Sequence, residues 1–249
     1  MLEHVHAAFE GVWLGLFDRT SLGALDEHVY RDKREKVFGG AFRYFDAEYN
    51  AKGLFEWESC AIDEHFPAGG KLVVTGAGGG REVLALLDRG FEAVGYEPNE
   101  RFVEAGGAFL ASRGHPGCLQ PIERDAFPSG DNKLDAIVVG WGSYTLIPGR
   151  ARRVAFLQDA RRQLEEGAPM LVSFIERPAR GGYFRTLAGV ANAVRALLGR
   201  ERVEVGDALV PHYVHHFTRP EVESELRAGG FQLVMAHSKP YPHAVARAA

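Results

Sequence analysis

Residues 73–83 read VVTGAGGGREV. The β-branched residues that open this stretch predict a buried strand, whereas the residues from Arg81 onward place apolar side chains at helical spacing. Glycines between a strand and a helix let the backbone come close to a ligand at the carboxyl end of the strand. The stretch therefore predicts a strand, a loop and a helix, in which the loop either cradles a ligand or is only a tight turn.

The spacing of the glycines limits what the loop can bind. Gly76, Gly78 and Gly80 follow the pattern G-x-G-x-G, whereas the dinucleotide fingerprint requires a small residue at the position of Arg81. No Gly-Lys-Ser or Gly-Lys-Thr follows the loop, as triphosphate-binding loops require. A dinucleotide and a nucleoside triphosphate are therefore disfavoured as ligands.

Strands and helices alternate along the chain after residue 70. Pro121 lacks the backbone donor that a central strand needs, so we expect the third strand at an edge of the sheet. The alternation predicts an α/β fold in which a mostly parallel sheet lies between two layers of helices. The predicted strands are residues 71–76, 91–97, 119–124, 134–141, 170–176, 209–217 and 231–237.

Two regions depart from that alternation. Residues 1–68 are rich in aromatic and charged side chains and show helical periodicity, which predicts an N-terminal helical cap on a domain of residues 69–249. Residues 181–199 predict a long helix before the sixth strand, where a compact α/β unit needs only a short connection. We therefore expect a helical insertion at about residues 181–200.

Composition and charge narrow the class of partner. A formal net charge of -4 argues against a broad nucleic-acid-binding face. Cys60 and Cys118 lack the spacing of a zinc site or a disulfide framework. The N-terminus does not read as a signal peptide, and no apolar run is long enough to span a bilayer. We expect a cytoplasmic protein with a small-molecule partner and no membrane or nucleic-acid partner, and the sequence leaves a homodimer open.

Acidic residues follow the second and third strands. Glu97 ends the second strand, where a carboxylate can accept hydrogen bonds from both hydroxyls of a ribose. Asp125 follows the third strand, where it could accept from the amino group of an adenine. The glycine loop and these two acids lie at three strand ends, and together they predict an adenosine site.

Several motifs together resemble those of the class I S-adenosylmethionine-dependent methyltransferases. They read VVTGAGGGREV, AVGYEPN, ERDAFP, LDAIVVGWGSY and HHFTRPEVESELRAGGFQLV, and they cover roughly residues 70–177 and 207–238. The resemblance implies a three-layer Rossmann-like fold whose seven-stranded sheet contains one antiparallel strand. It also implies methyl transfer from S-adenosylmethionine to a small-molecule acceptor, on oxygen or nitrogen, with S-adenosylhomocysteine as the product.

The resemblance assigns roles to individual residues. The glycine loop would cradle the methionine part, Glu97 would hold the ribose, and Asp125 would meet the adenine amine. The family commonly carries an acid just before the glycine loop, whereas this chain has Thr75. The implied cofactor-binding residues are Thr75, Gly76, Ala77, Gly78, Gly80, Glu97, Pro98, Asn99, Asp125, Ala126, Phe127, Gly140 and Trp141.

The residue that would activate the acceptor is less defined. His215, His216 and Tyr144 are candidates for a general base, because imidazole titrates near neutrality and Tyr144 follows the fourth strand. On a strand, His212 and His216 face one way and His215 the other, so no metal site is expected. Three tyrosines of the cap could form a lid over the cofactor or pack in the core, namely Tyr30, Tyr44 and Tyr49.

Two other functions stay open. An RNA or protein methyltransferase would use the same cofactor with an open, basic acceptor cleft, and arginines at 150, 152, 153, 161 and 162 could form its basic face. A non-catalytic protein could instead bind an adenosine cofactor or a dinucleotide and transfer no methyl group.

Overall fold

A seven-stranded sheet lies at the centre of the computed structural model, which describes residues 2–17, 41–130, 133–179, 181–209 and 212–249. The strands of the chain are β1 (Gly70–Thr75), β2 (Phe91–Glu97), β3 (Leu119–Pro121), β4 (Ala136–Val139), β5 (Pro169–Ser173), β6 (Ile175–Glu176), β7 (Asp207–Leu209), β8 (Tyr213–Phe217), β9 (Phe231–His237) and β10 (His243–Ala248). The order in the main sheet is β3-β2-β1-β4-β5-β10-β9. Neighbours among β1 to β5 pair in parallel, and β10 runs antiparallel to both β5 and β9.

This architecture confirms the predicted Rossmann-like α/β fold with one antiparallel strand. β3 lies at an edge of the sheet, as the missing donor of Pro121 predicts. The helices are α1 (Leu2–Leu16), α2 (Ala47–Asn50), α3 (Glu56–His65), α4 (Arg81–Asp88), α5 (Glu100–Ser112), α6 (Arg150–Gln163), α7 (Gly182–Leu197) and α8 (Arg219–Ala228), with 3-10 turns at Ala41–Phe45 and Ser143–Leu146.

The predicted sixth strand is wrong as a strand of the main sheet. Residues 213–217 form β8, which pairs with β7 and with β6 in a separate three-stranded sheet. The predicted fifth strand also divides, because it leaves the main sheet after Ser173 and resumes in the small sheet at Ile175. Apolar β-branched runs show that a segment is extended and buried, but they do not show which sheet it joins.

The place beside β5 is taken by β10, which the sequence analysis missed. Its sequence HAVARA is rich in alanine, which has little strand propensity. Ala244 and Ala246 are nevertheless fully buried between β5 and β9. The predicted last strand, FQLVMAH, is β9, and β10 follows it in the chain.

Helices cover both faces of the sheet. Alternate residues of β4 face opposite layers, so Ile137 packs with Leu157 of α6 in one core, whereas Val138 packs with Leu110 of α5 in the other. Helix α3 joins the second core through Trp57. The three-layer arrangement leaves the carboxyl ends of the parallel strands open to ligands.

The described parts of the predicted cap, residues 1–68, lie in two places. α1 packs on α7, the helix that the sequence predicts over 181–199, rather than on the sheet. Residues 41–68 lie near the glycine loop, where Asn50 and Tyr44 approach Gly79. Tyr30 lies outside the described residues. Among the described residues, no helix is long and apolar enough to cross a membrane.

Candidate functional site

A cavity lies at the carboxyl ends of β1, β2 and β4. It extends from the glycine loop to the residues that follow β3. Nine of the predicted cofactor-binding residues line it, namely Thr75, Gly76, Gly78, Glu97, Pro98, Asn99, Asp125, Ala126 and Trp141. The structure thus brings together residues that follow four strands and lie up to 66 positions apart, from Thr75 to Trp141.

The glycine loop needs its glycines for two reasons. Gly76, Gly78 and Gly80 have φ angles of 63°, 54° and 88°, which side chains rarely tolerate. A Cβ on Gly76 would also come within 2.4 Å of the Ser143 Cβ, and one on Gly78 within 2.9 Å of the Tyr44 ring. The loop therefore presents bare backbone to the cavity.

Glu97 is the buried acid of the site. Its Oε2 accepts a hydrogen bond from the Gly78 N–H at 2.9 Å, and its Oε1 accepts one from the Asn99 N–H at 2.9 Å. Burial raises the pKa of Glu97 to about 7, although these two hydrogen bonds favour the charged form. Each carboxylate oxygen keeps a further lone pair for a ligand. The glycine loop and the β2 end are thus joined through the side chain expected to hold a ribose.

The far end of the cavity combines apolar side chains with the charged residues Glu123, Arg124 and Asp125. Ile122 and Ala126 follow β3, and Leu146, Ile147 and Phe156 face them from the β4 side. Such an apolar slot suits a flat heterocycle.

Asp125 lies at this end of the cavity. It has a φ of 61°, the one positive φ among the described non-glycine residues. Strained backbone of this kind clusters at functional sites. Asp125 lines the cavity, and its predicted contact with an adenine stays a prediction.

Thr75 and Trp141 line the end of the cavity that lies opposite Ile122 and Ala126. The Thr75 hydroxyl is buried and has no hydrogen-bond partner among the described residues. The Trp141 backbone N–H donates to Glu82 Oε1 at 3.3 Å, and its ring meets Phe55 and Tyr241 edge to face at 5.1 and 5.4 Å. A buried orphan hydroxyl beside a glycine cradle fits a site built for a polar ligand.

The other four predicted cofactor-binding residues do not line the cavity. Ala77 is buried, Gly80 is the N-cap of α4, and the Phe127 ring packs on the Phe156 ring with 5.6 Å between centroids. A Cβ on Gly140 would come within 2.4 Å of the Gly76 carbonyl oxygen. These residues allow the close packing behind the loop, and their predicted contact with a cofactor stays a prediction.

The three predicted general bases lie away from the cavity. The Tyr144 hydroxyl donates to Glu225 Oε2 at 2.7 Å, and burial together with that carboxylate raises the tyrosine pKa well above its usual value. His215 Nδ1 lies 2.6 Å from Asp207 Oδ1, and His216 Nδ1 lies 3.2 Å from the Gly206 carbonyl oxygen. None of the three lines the cavity, so the geometry does not support their predicted role.

Arg81 occupies the position where the dinucleotide fingerprint requires a small residue, and its side chain forms a buried ion cluster. Its guanidinium contacts both Glu58 oxygens at 2.7 and 2.8 Å and Glu82 Oε1 at 2.7 Å. Burial raises the pKa of Glu58, and Arg81 opposes that rise. The cluster ties α3 to the start of α4, directly behind the glycine loop.

The sequence analysis missed part of the cavity lining. Ile122 could have been found, because it follows the third strand as Asp125 does. Leu146, Ile147 and Phe156 gave no signal beyond ordinary core periodicity. Tyr44, which precedes the sheet by many residues, is predicted from sequence only as part of a lid or as a core aromatic residue, whereas in the structure it lines the cavity.

Comparison with known proteins supports the fold. No protein-family model and no curated protein matches the sequence. Among solved structures, the chain is similar to an S-adenosylmethionine-dependent methyltransferase from Methanosarcina mazei, at 16% identity and a TM-score of 0.60 over 78% of this chain and 98% of that one. The CcbJ methyltransferase from Streptomyces caelestis is 15% identical, with a TM-score of 0.59 over 83% and 98% of the two chains.

A third similar structure covers almost the whole chain. It is the 1,6-didemethyltoxoflavin-N1-methyltransferase from Burkholderia thailandensis, solved with its substrate and S-adenosylhomocysteine. It is 17% identical and has a TM-score of 0.58 over 94% of this chain and 92% of that one. The chain therefore has the fold of the class I, Rossmann-like S-adenosylmethionine-dependent methyltransferases.

Proposed function

We propose that this protein transfers a methyl group from S-adenosylmethionine to a small-molecule acceptor. The observation that carries the proposal is the buried Glu97 carboxylate. It lies hydrogen-bonded to the Gly78 N–H of the glycine loop, in a cavity with an apolar slot at one end and Thr75 at the other. This combination matches the three parts of the cofactor: a ribose, a flat purine and a polar amino-acid tail.

The residues present fit this cofactor. Glu97 would accept from the ribose hydroxyls with its remaining lone pairs. The slot between Ala126 and Leu146 would hold the purine, with Asp125 at its edge. The bare backbone of the glycine loop and the unpartnered Thr75 hydroxyl would lie along the amino-acid tail.

When bound, S-adenosylmethionine supplies a methyl group attached to a positively charged sulfur. The acceptor atom would attack the methyl carbon in line with the carbon–sulfur bond, and S-adenosylhomocysteine would leave. The contribution of the chain is to hold donor and acceptor at attack distance. Among the described residues that line the cavity, the ionisable ones are Tyr44, Glu97, Glu123, Arg124 and Asp125, and most of them lie on the adenosine side. We therefore infer that positioning, rather than a protein base, supplies most of the acceleration.

The acceptor would bind beside Trp141. This ring lines the cavity and meets Phe55 and Tyr241 on its outer side. These aromatic surroundings favour a partly apolar or aromatic acceptor.

An RNA or protein acceptor has less support. Arg153 is buried against Glu225 and Glu204, and Arg152 pairs with Glu201. Arg161 bonds to the carbonyl oxygen of Ala249, and Arg162 pairs with Asp159. The arginines that could have formed a basic face are therefore largely engaged within the chain.

Calorimetric titration with S-adenosylmethionine, S-adenosylhomocysteine and NAD tests the proposal. We expect the first two to bind and NAD not to bind. Glu97→Ala should weaken S-adenosylmethionine binding by roughly 1.5 to 3 kcal/mol, because it removes a charge-assisted pair of hydrogen bonds. Glu92→Ala, an exposed change on the same strand, is the control and should leave the affinity unchanged.

Each contrary outcome points to a different alternative. Binding of NAD alone, or of none of the three, would contradict the cofactor assignment. Binding of both adenosyl compounds without methyl transfer to any member of an acceptor library would favour a non-catalytic cofactor-binding protein.

A further inference from the structure

Helix α1 is apolar on two opposite faces. Its inner face packs on α7, where Ala7 and Leu14 are fully buried. Gly11 and Gly15 allow a close approach, since a Cβ on either would come within 2.9 Å of Val190 or Val194. The outer face exposes large apolar side chains, namely Val5 (63% exposed), Phe9 (67%), Val12 (41%), Trp13 (49%) and Leu16 (47%). A helix that is apolar all round is normally buried on every side.

The outer face has the spacing of a coiled-coil seam. Val5, Phe9, Val12 and Leu16 are separated by four, three and four residues, which is the a/d repeat of two helices that pack along each other. Trp13 flanks this seam. The spacing of the outer face is thus typical of a helix that packs along a second helix.

The charges of α1 argue against other partners. The helix contains no lysine or arginine, and its two acids, Glu3 and Glu10, lie to one side of the seam. Glu10 is also engaged by His6 and by the Tyr183 hydroxyl. Helices that bind anionic membranes or nucleic acids carry basic residues on the polar face. An uncharged apolar helix is therefore the partner that fits.

We propose that α1 pairs with α1 of a second copy of this chain, antiparallel and around a two-fold axis. Antiparallel pairing sets Phe9 against Val12 and Leu16 against Val5, so that each larger side chain meets a smaller one. Parallel pairing would set Phe9 against Phe9. A two-fold interface is self-complementary by construction, so one seam serves both copies.

The exposed surface is large enough for such an interface. Because aromatic side chains bury about 150 to 250 Å² each, the five exposed residues leave on the order of 500 Å² of apolar surface per copy. Two copies then reach the roughly 1,000 Å² that a specific interface needs.

Sedimentation velocity over a wide concentration range tests this dimer. We expect the wild-type chain to be dimeric, and Phe9→Glu to raise the dimer dissociation constant by about 100-fold or more, because each copy would bury an unpaired carboxylate. Val234→Glu is the matched control, since Val234 is 46% exposed on the edge strand β9, away from α1. The control variant should stay dimeric.

A second pair of variants tests the antiparallel orientation. Leu16→Lys alone should weaken the dimer, and Val5→Glu added to it should restore part of the affinity, because antiparallel pairing sets the two positions opposite each other. Failure of the added change to restore any affinity would overturn the antiparallel arrangement. If circular dichroism shows that Phe9→Glu does not fold, Phe9→Ala replaces it. We expect Phe9→Ala to weaken the dimer affinity by about tenfold.

Three outcomes would overturn the proposal. The wild-type chain could stay monomeric at every concentration, which would mean that another part of the chain covers the face. Phe9→Glu could stay as dimeric as the wild type, which would place the interface elsewhere. The monomer could sediment with vesicles of phosphatidylcholine and phosphatidylserine, which would make the face a membrane contact. None of these results bears on methyl transfer, which rests on the cavity alone.

Discussion

At the residue scale, the protonation of Glu97 should control cofactor binding. Burial raises its pKa to about 7, so the carboxyl group is largely protonated at pH 6 and largely ionised at pH 8. Only the ionised form offers both oxygens to a ribose. We expect the affinity for S-adenosylhomocysteine to fall by up to about tenfold per pH unit below 7, and calorimetry in buffers of different ionisation enthalpy should show proton release on binding.

Glu97→Gln is the control for this pH dependence. The amide keeps the size of the side chain but does not titrate, so its weaker binding should be flat between pH 6 and 8. A wild-type affinity that does not vary over this range would contradict an elevated pKa. An equally steep profile in Glu97→Gln would assign the titration to another group.

The raised pKa of Glu97 also predicts how the free energy of unfolding changes with pH. Between the ordinary pKa of 4.5 and the folded value of about 7, the folded chain binds more protons at Glu97 than the unfolded chain does. The contribution of Glu97 to the free energy of unfolding is therefore largest below pH 4.5 and is lost as the pH rises to 7, by about 3 kcal/mol. The free energy of unfolding measured with urea should differ less between pH 5 and pH 7.5 in Glu97→Gln than in the wild type.

A glycine pair tests the backbone of the loop. Gly76→Ala forces a side chain onto a φ of 63° and into the Ser143 Cβ, so we expect a loss of about 1 to 3 kcal/mol of stability together with weaker cofactor binding. Gly107→Ala, in α5, meets nothing within 4 Å and should stabilise the chain by about 0.5 to 1 kcal/mol. Thermal unfolding and calorimetry measure both effects, and equal behaviour of the two variants would contradict the role of the loop.

At the element scale, the parts that could be predicted from sequence are those with strong local signals. β1 and β4 are dense in β-branched residues, and the missing donor of Pro121 correctly predicted that β3 lies at an edge. Glu97 and Asp125 were located because parallel strands end at one edge of the sheet, which makes a site predictable from strand order.

Other elements depend on tertiary packing that the sequence does not reveal. β10 is rich in alanine and becomes a strand because it pairs with β5 on one side and β9 on the other. β8 was correctly predicted to be extended, but its sequence does not show that it pairs in the small sheet. His215 and Tyr144 carry chemically active groups, but buried carboxylates bind both of them, which no local pattern predicts.

In the segment that covers the glycine loop, the Asn50 side chain anchors α2 to the preceding turn, and the rings of Tyr44 and Phe45 pack on Phe102. Asn50 Nδ2 of α2 donates to the Tyr44 carbonyl oxygen at 2.9 Å, and the Tyr44 ring lies against Gly78. We expect Asn50→Ala to loosen residues 41–50 and to weaken cofactor binding by about three- to tenfold, the value of one hydrogen bond. Glu48→Ala, an exposed change in the same helix, should alter neither hydrogen exchange in the segment nor affinity. Unchanged exchange in Asn50→Ala would contradict the role of Asn50 as the anchor.

At the scale of the whole molecule, a buried charge network joins the small sheet to the main domain. Arg153 of α6 contacts both Glu225 oxygens at 2.9 and 2.8 Å, and also contacts Glu204, which precedes β7. The Tyr144 hydroxyl donates to the same Glu225. Because charges buried this deeply are tolerated only when they are paired, the network fixes where the small sheet sits on α6 and α8.

Breaking this network should destabilise the chain far more than breaking a surface pair. Glu225→Gln leaves Arg153 buried with a single anionic partner, and removal of one member of a buried pair costs about 3 to 5 kcal/mol. Glu223→Gln, two residues before Glu225 in α8, breaks only the exposed pair with Arg227 and should cost less than about 0.5 kcal/mol. Urea unfolding of both variants decides between a network that holds the molecule together and one that is incidental. Similar losses in the two would contradict the network, whereas a separate early transition in Glu225→Gln would show the small sheet detaching before the main domain unfolds.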